Sequence, residues 1–497
     1  MNLAVALEQL TDLSGWRQRP ATYEPTGVHT HGQVHDLAAR AATVLARHGV
    51  GPSARVLVAM PDSVAWYVTF LATARLGAVA VPVNPDLAVP EHLDIVADCE
   101  PVLVVCPQEL AGRFPVPTLA GDDLVDRAAG CPRAAAHPVD AQTPLYIQYT
   151  SGTTGRPKGA IHRHGDPERY YRSAGLGVVE VGPCDVTLSV SKLYFAYGFG
   201  NAFVFPLFSG SAAVLLPYRP SPEETAELVA AHRVTLLYGV PTAYAGMVAH
   251  GDPRRWRTVR AAVSAGEALR PGLGEATSEL LGAPVLNQLG STEAGHGFCS
   301  NTLRHHRLDT VGRELAGYRL RILDDTGREV PDGTQGELWV AGDTIMSGYL
   351  GLPDETAASV VDGWLRTKDL AVRNPDGTVT LHGRADDLEM VAGITMAPGP
   401  VEQLIGDHPA VVEAAVVARP DQRGATRLHA FVVAADGAAE PDADELARWL
   451  AGRVAPFKVP RSVSVVPALP RTPTGKLRRF MLRDMVARQE ASTGAAR

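Results

Sequence analysis

Eleven consecutive residues, Tyr149-Thr150-Ser151-Gly152-Thr153-Thr154-Gly155-Arg156-Pro157-Lys158-Gly159, gather hydroxyl side chains, glycines and two cations directly after the apolar run Leu145-Tyr146-Ile147. Glycine lets backbone approach a ligand closely, and successive N–H and O–H donors suit phosphate oxygens. The spacing is not that of a Walker A loop, G-x-x-x-x-G-K-[ST]. By composition alone the stretch also reads as a flexible linker. Gly290-Ser291-Thr292-Glu293 sets a threonine beside a glutamate, hard oxygen donors of the kind magnesium takes, although the tetrapeptide is also a common turn. Asp369, Arg384 and the cationic segment Pro470-Arg471-Thr472-Pro473-Thr474-Gly475-Lys476-Leu477-Arg478-Arg479 would, singly, be solvated surface charge.

Their order along the chain changes that reading. The loop at 149–159, the G-x-T-E at Gly290–Glu293, Trp364-Leu365-Arg366-Thr367-Lys368-Asp369 and the P-x-T-x-x-G-K ending at Lys476 resemble the successive motifs of the acyl-adenylate-forming enzymes. That superfamily includes acyl-CoA synthetases, carrier-protein-loading adenylation domains and firefly-type luciferases. Gly336-Glu337-Leu338-Trp339-Val340-Ala341-Gly342 and Ser347-Gly348-Tyr349 are lesser matches. Joining a carboxylate to ATP brings two anions together, so such an enzyme must neutralise the triphosphate and place a cation at the α-phosphate. The resemblance implies that Thr150, Ser151, Gly152, Thr153, Thr154, Gly155 and Lys158 grip the β- and γ-phosphates. It assigns Glu293 to Mg2+, Thr292 to the α-phosphate and Asp369 to the ribose hydroxyls, with Arg384 joining it at the nucleotide. Lys476 is implied to contact the carboxylate and α-phosphate as an electrostatic stabiliser. Lys368 stands where the family motif W-x-x-T-G-D has glycine.

Further stretches resemble the benzoate and related aryl-CoA ligases: 191–201, Tyr238-Gly239-Val240-Pro241-Thr242, Ser264-Ala265-Gly266-Glu267-Ala268-Leu269, and Ser291 to Asn301. An aromatic acid needs a flat apolar slot with a few polar anchors. Phe195, Ala196, Tyr197, Ala265, Gly266, Leu289, Gly290 and His296 are the expected lining, although such aromatics are also ordinary core and His296 is equally a buried, hydrogen-bonded histidine. The implied substrates are an aryl carboxylic acid, ATP and the thiol of CoA. A phosphopantetheine on an acyl carrier protein presents the same thiol arm and is the alternative acceptor. A protein that kept the fold and binds nucleotide or acid without catalysis is a third reading, opposed by the presence of Lys476, Glu293 and Asp369. Past the implied hinge residue Asp386, Met390, Ala392 and Pro400 depart from the family's lysine, glycine and glutamate. In the family that segment serves the thioester step, after the small domain has rotated.

The positioning elements follow from periodicity. Val34, Leu37, Ala41, Val44 and Leu45 predict a helix ending near Gly49, and residues 55–60, 78–83 and 102–106 predict buried strands. Asp62 is expected to open a helix through Trp66, Phe70 and Leu71. Ser221-Pro222-Glu223-Glu224 is an N-cap, N1 proline and N3 acid, and precedes a strand over 234–240. Strand–helix–strand order predicts an α/β protein. The expected large N-terminal domain has βαβ-built sheets and a β-rich subdomain near 311–350. A small mobile α+β C-terminal domain is expected to follow, with strands at 411–417 and 428–433 and a helix at 442–453. The expected boundaries are 1–383, a hinge at 384–386, 387–490 and a tail at 491–497. At 497 residues the chain exceeds one core, and a net charge of −8 disfavours nucleic-acid or anionic-membrane partners. Five cysteines without a C-x-x-C pair predict buried, reduced thiols, not a zinc site or disulfides. No signal peptide or membrane-spanning run is evident, so a cytoplasmic enzyme is expected.

Overall fold

The structure is a computed structural model. It describes residues 1–150, 157–385, 389–391, 394–396, 398–420, 426–435, 437–471, 477–479 and 481–486. The chain forms two compact units, 1–320 with 340–366, and 321–339 with 367–497.

The first unit holds two sheets. One has six strands in the order Thr118–Ala120, Leu103–Cys106, Arg55–Val58, Val79–Pro82, Pro144–Thr150 and Lys158–Arg163. Its described pairs are parallel except the last, an antiparallel hairpin. Strands such as Leu103–Cys106 are buried throughout, which is why they read as unbroken apolar runs. The second sheet has nine strands. Its parallel centre runs Val285–Gly290, Ala261–Ser264, Leu236–Gly239, Val186–Ser189, Ala212–Val214 and Pro20–Glu24. Antiparallel strands border it on both sides, Gly297–Ser300 and Arg313–Glu314 on one, Gly27–Thr30 on the other.

Helix starts follow capping chemistry. Thr30 caps His31–Arg47 in a reciprocal box with Gln33, and the Ser221 hydroxyl accepts from Glu224 N at the start of Pro222–His232. The helix expected from Asp62 instead begins at Val64, with Ser63 as its cap. Asp62 is used elsewhere: its carboxylate accepts from Leu193 N at 2.9 Å and lies 3.6 Å from the buried Lys192 ammonium. Among the thiols, Cys99, Cys106, Cys131 and Cys299 are buried as expected, whereas Cys184 is exposed. Burial pushes Cys99 up to about 12 and Cys106 up to about 11, so neither is a thiolate at neutral pH.

The second unit contains a three-stranded sheet, Val411–Pro420 and Thr426–Ala434 antiparallel, then Ser462–Val465 parallel to the latter. Helices Gly399–Gly406 and Ala443–Leu450 contribute Val401, Ile405, Leu446 and Leu450 to its core, against Val416, Leu428, Ala430 and Val432. In the same unit residues 369–373 pair antiparallel with Val379–Arg384. Among the described residues no helix is long and apolar enough to cross a membrane.

Candidate active site

Parallel strands expose ligand-binding loops at their C-terminal ends. Gly266 and Ser291–His296 leave the nine-stranded sheet there, after strands Ala261–Ser264 and Val285–Gly290. The six-stranded sheet contributes its terminal hairpin. Thr150 lies opposite Lys158 and Tyr149 opposite Gly159, so both ends of the expected phosphate loop are fixed in register. Ser151, Gly152, Thr153, Thr154 and Gly155 lie outside the described residues, as do Asp386, Ala392 and Lys476.

The loop of Thr292 and Glu293 is held by its carbonyls. Thr292 O accepts from His162 Nε2 at 2.8 Å, Glu293 O from Met346 N at 2.8 Å, and Ala294 O from Thr344 Oγ1 at 2.8 Å. A carbonyl only accepts, so Nε2 is the protonated nitrogen of His162. That ring is fully buried, stacks on Tyr146 at 4.9 Å and lies 3.4 Å from the Asp166 carboxylate. Gly295, at φ +79°, closes the turn in the left-handed region, which favours glycine. The Glu293 carboxylate accepts from Tyr349 Oη at 2.9 Å, and Lys158 Nζ lies 5.5 Å from the centroid of the same ring. The ends of two predicted motifs therefore meet at Tyr349. Neither Tyr349 nor His162 was assigned a role from sequence: the Ser347-Gly348-Tyr349 match marked the first, and nothing marked the second.

Two residues of the expected aryl lining are in ring contact. Tyr197 and His296 sit together, ring centroids 5.9 Å apart, with Tyr170 at 5.8 Å and Phe205 at 5.0 Å from the imidazole. Tyr197 Oη donates to Val263 O at 2.9 Å, which holds its ring against the sheet. Phe195 instead packs on Tyr194 at 4.6 Å. Ala196 and Ala265 are buried, Leu289 is half-buried and Gly290 is exposed. Gly266 takes φ +87°. His296 is 2% exposed and bonds Asn201 Oδ1 at 3.1 Å. Burial lowers its pKa to about 4, so at neutral pH it is uncharged and no counter-ion for a carboxylate. The nearby aromatics Phe199 and Phe203 are core, packed against Trp66 and Phe70.

In the second unit Asp369 pairs in register with Arg384, and their side chains approach to 3.5 Å. Thr367 Oγ1 donates to Leu338 O at 2.8 Å and accepts from Asp369 N at 3.1 Å, which fixes the start of the turn. Lys368, where the family has glycine, sits at φ +62°. A residue with a Cβ costs about 1 kcal/mol there. Lys368→Gly is therefore expected to leave the unfolding midpoint unchanged or raised in urea titrations; a clear loss of stability would show that the lysine side chain outweighs the backbone cost.

The AMP-binding enzyme family matches residues 11–350, and the AMP-binding enzyme C-terminal domain matches 400–476. A p-hydroxybenzoic acid–AMP ligase of Mycobacterium tuberculosis is 41% identical over 97% of this chain and 68% of its own length. A 4-hydroxybenzoate–CoA/benzoate–CoA ligase of Rhodopseudomonas palustris is 35% identical over 97% of this chain and 94% of its own. The crystal structure of a benzoate CoA ligase from Burkholderia xenovorans superposes with TM-score 0.90 at 32% identity, covering 97% of this chain and all of that one. With both family segments in order and a fold shared over nearly the whole length, the chain belongs to the AMP-binding enzyme family.

Proposed function

We propose that this protein is an AMP-forming acid–thiol ligase that activates a benzoate-type aryl carboxylic acid with ATP and passes the acyl group to CoA. The observation that carries this reading is full-length similarity to ligases named for benzoate and hydroxybenzoate. The uncharged aromatic cluster of Tyr197 and His296 supports it. In the first step a carboxylate oxygen attacks the α-phosphorus, the bond to the bridging oxygen of the β-phosphate breaks, and aryl-AMP and pyrophosphate form. Lys476 stabilises the charge gathered at the α-phosphate, Thr292 binds its oxygens, and residues 150–158 hold the outer phosphates. Asp369 orients the ribose, and Arg384 joins it at the nucleotide. In the second step the domain 387–490 turns about Asp386, the thiolate sulfur attacks the acyl carbonyl, and AMP leaves.

Mg2+ fits the donors present. No group of three His, Cys, Asp or Glu residues able to hold a metal occurs among the described residues. A single carboxylate, Glu293, suits an ion that takes most of its ligands from water and substrate phosphates. When bound, magnesium supplies charge neutralisation of the triphosphate.

A carrier-protein phosphopantetheine is the second reading for the acceptor. It is favoured by the 41%-identical relatives, which are named AMP ligases, and by Met390, Ala392 and Pro400 in the segment tied to the thioester step. The test is ATP–pyrophosphate exchange with a panel of aryl and aliphatic acids, then thioester formation with CoA or with a phosphopantetheinylated carrier. Exchange with benzoates or hydroxybenzoates well above that with aliphatic acids is expected. Background exchange with every acid would instead leave a binding protein. Turnover with the carrier alone would reject CoA as acceptor.

A further inference from the structure

One short segment holds Glu293 twice. Met346 N donates to the Glu293 carbonyl at 2.8 Å, and Tyr349 Oη donates to its carboxylate at 2.9 Å. The same segment is fastened to the strand leaving the phosphate loop: Ser347 N donates to Ile161 O at 2.9 Å, Ile161 N to Gly348 O at 3.0 Å, and Leu350 N to Gly159 O at 2.8 Å. Tyr349 N donates to Thr356 Oγ1 at 2.9 Å, and Thr356 donates in turn to Leu352 O at 2.8 Å. The tyrosine backbone is thus tied to its surroundings, and its ring carries Lys158 on its face.

A glutamate ordered for a cation gives up rotamer entropy. A charge-assisted hydrogen bond from a fixed phenol removes part of that cost before the ligand arrives. It leaves the carboxylate's second oxygen as the hard donor. We propose that Tyr349 is a positioning residue that presets the Glu293 carboxylate for Mg·ATP and couples it to Lys158 at the end of the phosphate loop. The proposal rests on the magnesium role given to Glu293 above.

Tyr349→Phe keeps the ring and the Lys158 contact and removes one oxygen. Two measurements test it: calorimetric ATP binding as a function of Mg2+, and the Mg2+ dependence of pyrophosphate exchange. Outer-shell partners of metal ligands typically contribute about 10–100-fold to metal affinity. The half-saturating Mg2+ concentration is therefore expected to rise about 10-fold or more in both assays. ATP binding without metal should stay at the wild-type value. Glu293→Gln should raise the Mg2+ requirement at least as far, and adding Tyr349→Phe to it should cost nothing more, because both changes remove one coupled unit. A Mg2+ requirement within twofold of wild type in Tyr349→Phe, with Glu293→Gln impaired, overturns the proposal alone. An unaffected Glu293→Gln overturns the magnesium assignment and the proposal with it. Both shifts in ATP binding, combined with background exchange for every acid, would uphold the proposal and reject the ligase reading.

Discussion

Lys476→Ala is expected to slow aryl-AMP formation by about 100- to 1,000-fold, the range seen when one preorganised charge-stabilising donor is removed from a reacting centre. The carboxylate and the triphosphate repel until a cation screens them, and no proton needs to move in that step. The loss should therefore appear in the rate of adenylation and persist at every pH where the lysine would be charged. Stability should be spared, because the described residues that flank the lysine in sequence make contacts of their own. Arg471 pairs with Glu413 at 3.0 Å and bridges to Leu477. Arg479 meets both Glu402 oxygens, at 2.5 and 2.7 Å, with side chains largely out of solvent. Such a two-pronged pair fixes direction as well as charge. Single-turnover formation of aryl-AMP measures the effect. Thioester formation from pre-made aryl-AMP separates it from the second step, which should keep most of its rate. Near-normal adenylation would remove Lys476 from the proposed chemistry.

The sequence announced elements whose stability is local or whose burial is complete. Runs such as Leu103–Cys106 are apolar on both faces because both faces are covered, and Ser221 with Glu224 carries its cap within four residues. Register across distance left no trace. Pro20–Glu24 pairs with Ala212–Val214, and no local pattern records a partner so far along the chain. Asp62 misled for the same reason: it looks like a helix start, yet its carboxylate serves Leu193 and Lys192. The site divides similarly. Glu293 and Asp369 stand in motifs, whereas His162 and Asn201 act by what they touch, Thr292 O and the His296 ring. Lys368 falls between: the missing glycine was visible, and φ +62° shows what glycine would have supplied.

Gly200→Ala is expected to be strongly destabilising. The backbone gives it no reason to be: Gly200 has φ −62°, an ordinary helical value where alanine is normally favoured over glycine. The difficulty is space. A Cβ at this position would lie 2.2 Å from His296 Cδ2 and 2.6 Å from Nε2. The imidazole cannot yield cheaply, since Tyr170, Tyr197 and Phe205 surround it and Asn201 holds Nε2. Overpacking of a filled core costs about 1–3 kcal/mol, and a displaced hydrogen bond adds about 1 kcal/mol. A loss of about 2–4 kcal/mol in urea unfolding is the expected sum. The aryl acid's KM should rise while ATP binding holds, because the displaced ring belongs to the proposed acid pocket and not to the nucleotide residues. Truncating the obstacle supplies the control. In Gly200→Ala/His296→Ala the added methyl enters space the ring has vacated, so the double variant should be more stable than the sum of the single losses allows. Stability of Gly200→Ala within 0.5 kcal/mol of wild type would mean that the cluster yields easily, a poor property for a pocket meant to select a flat ring.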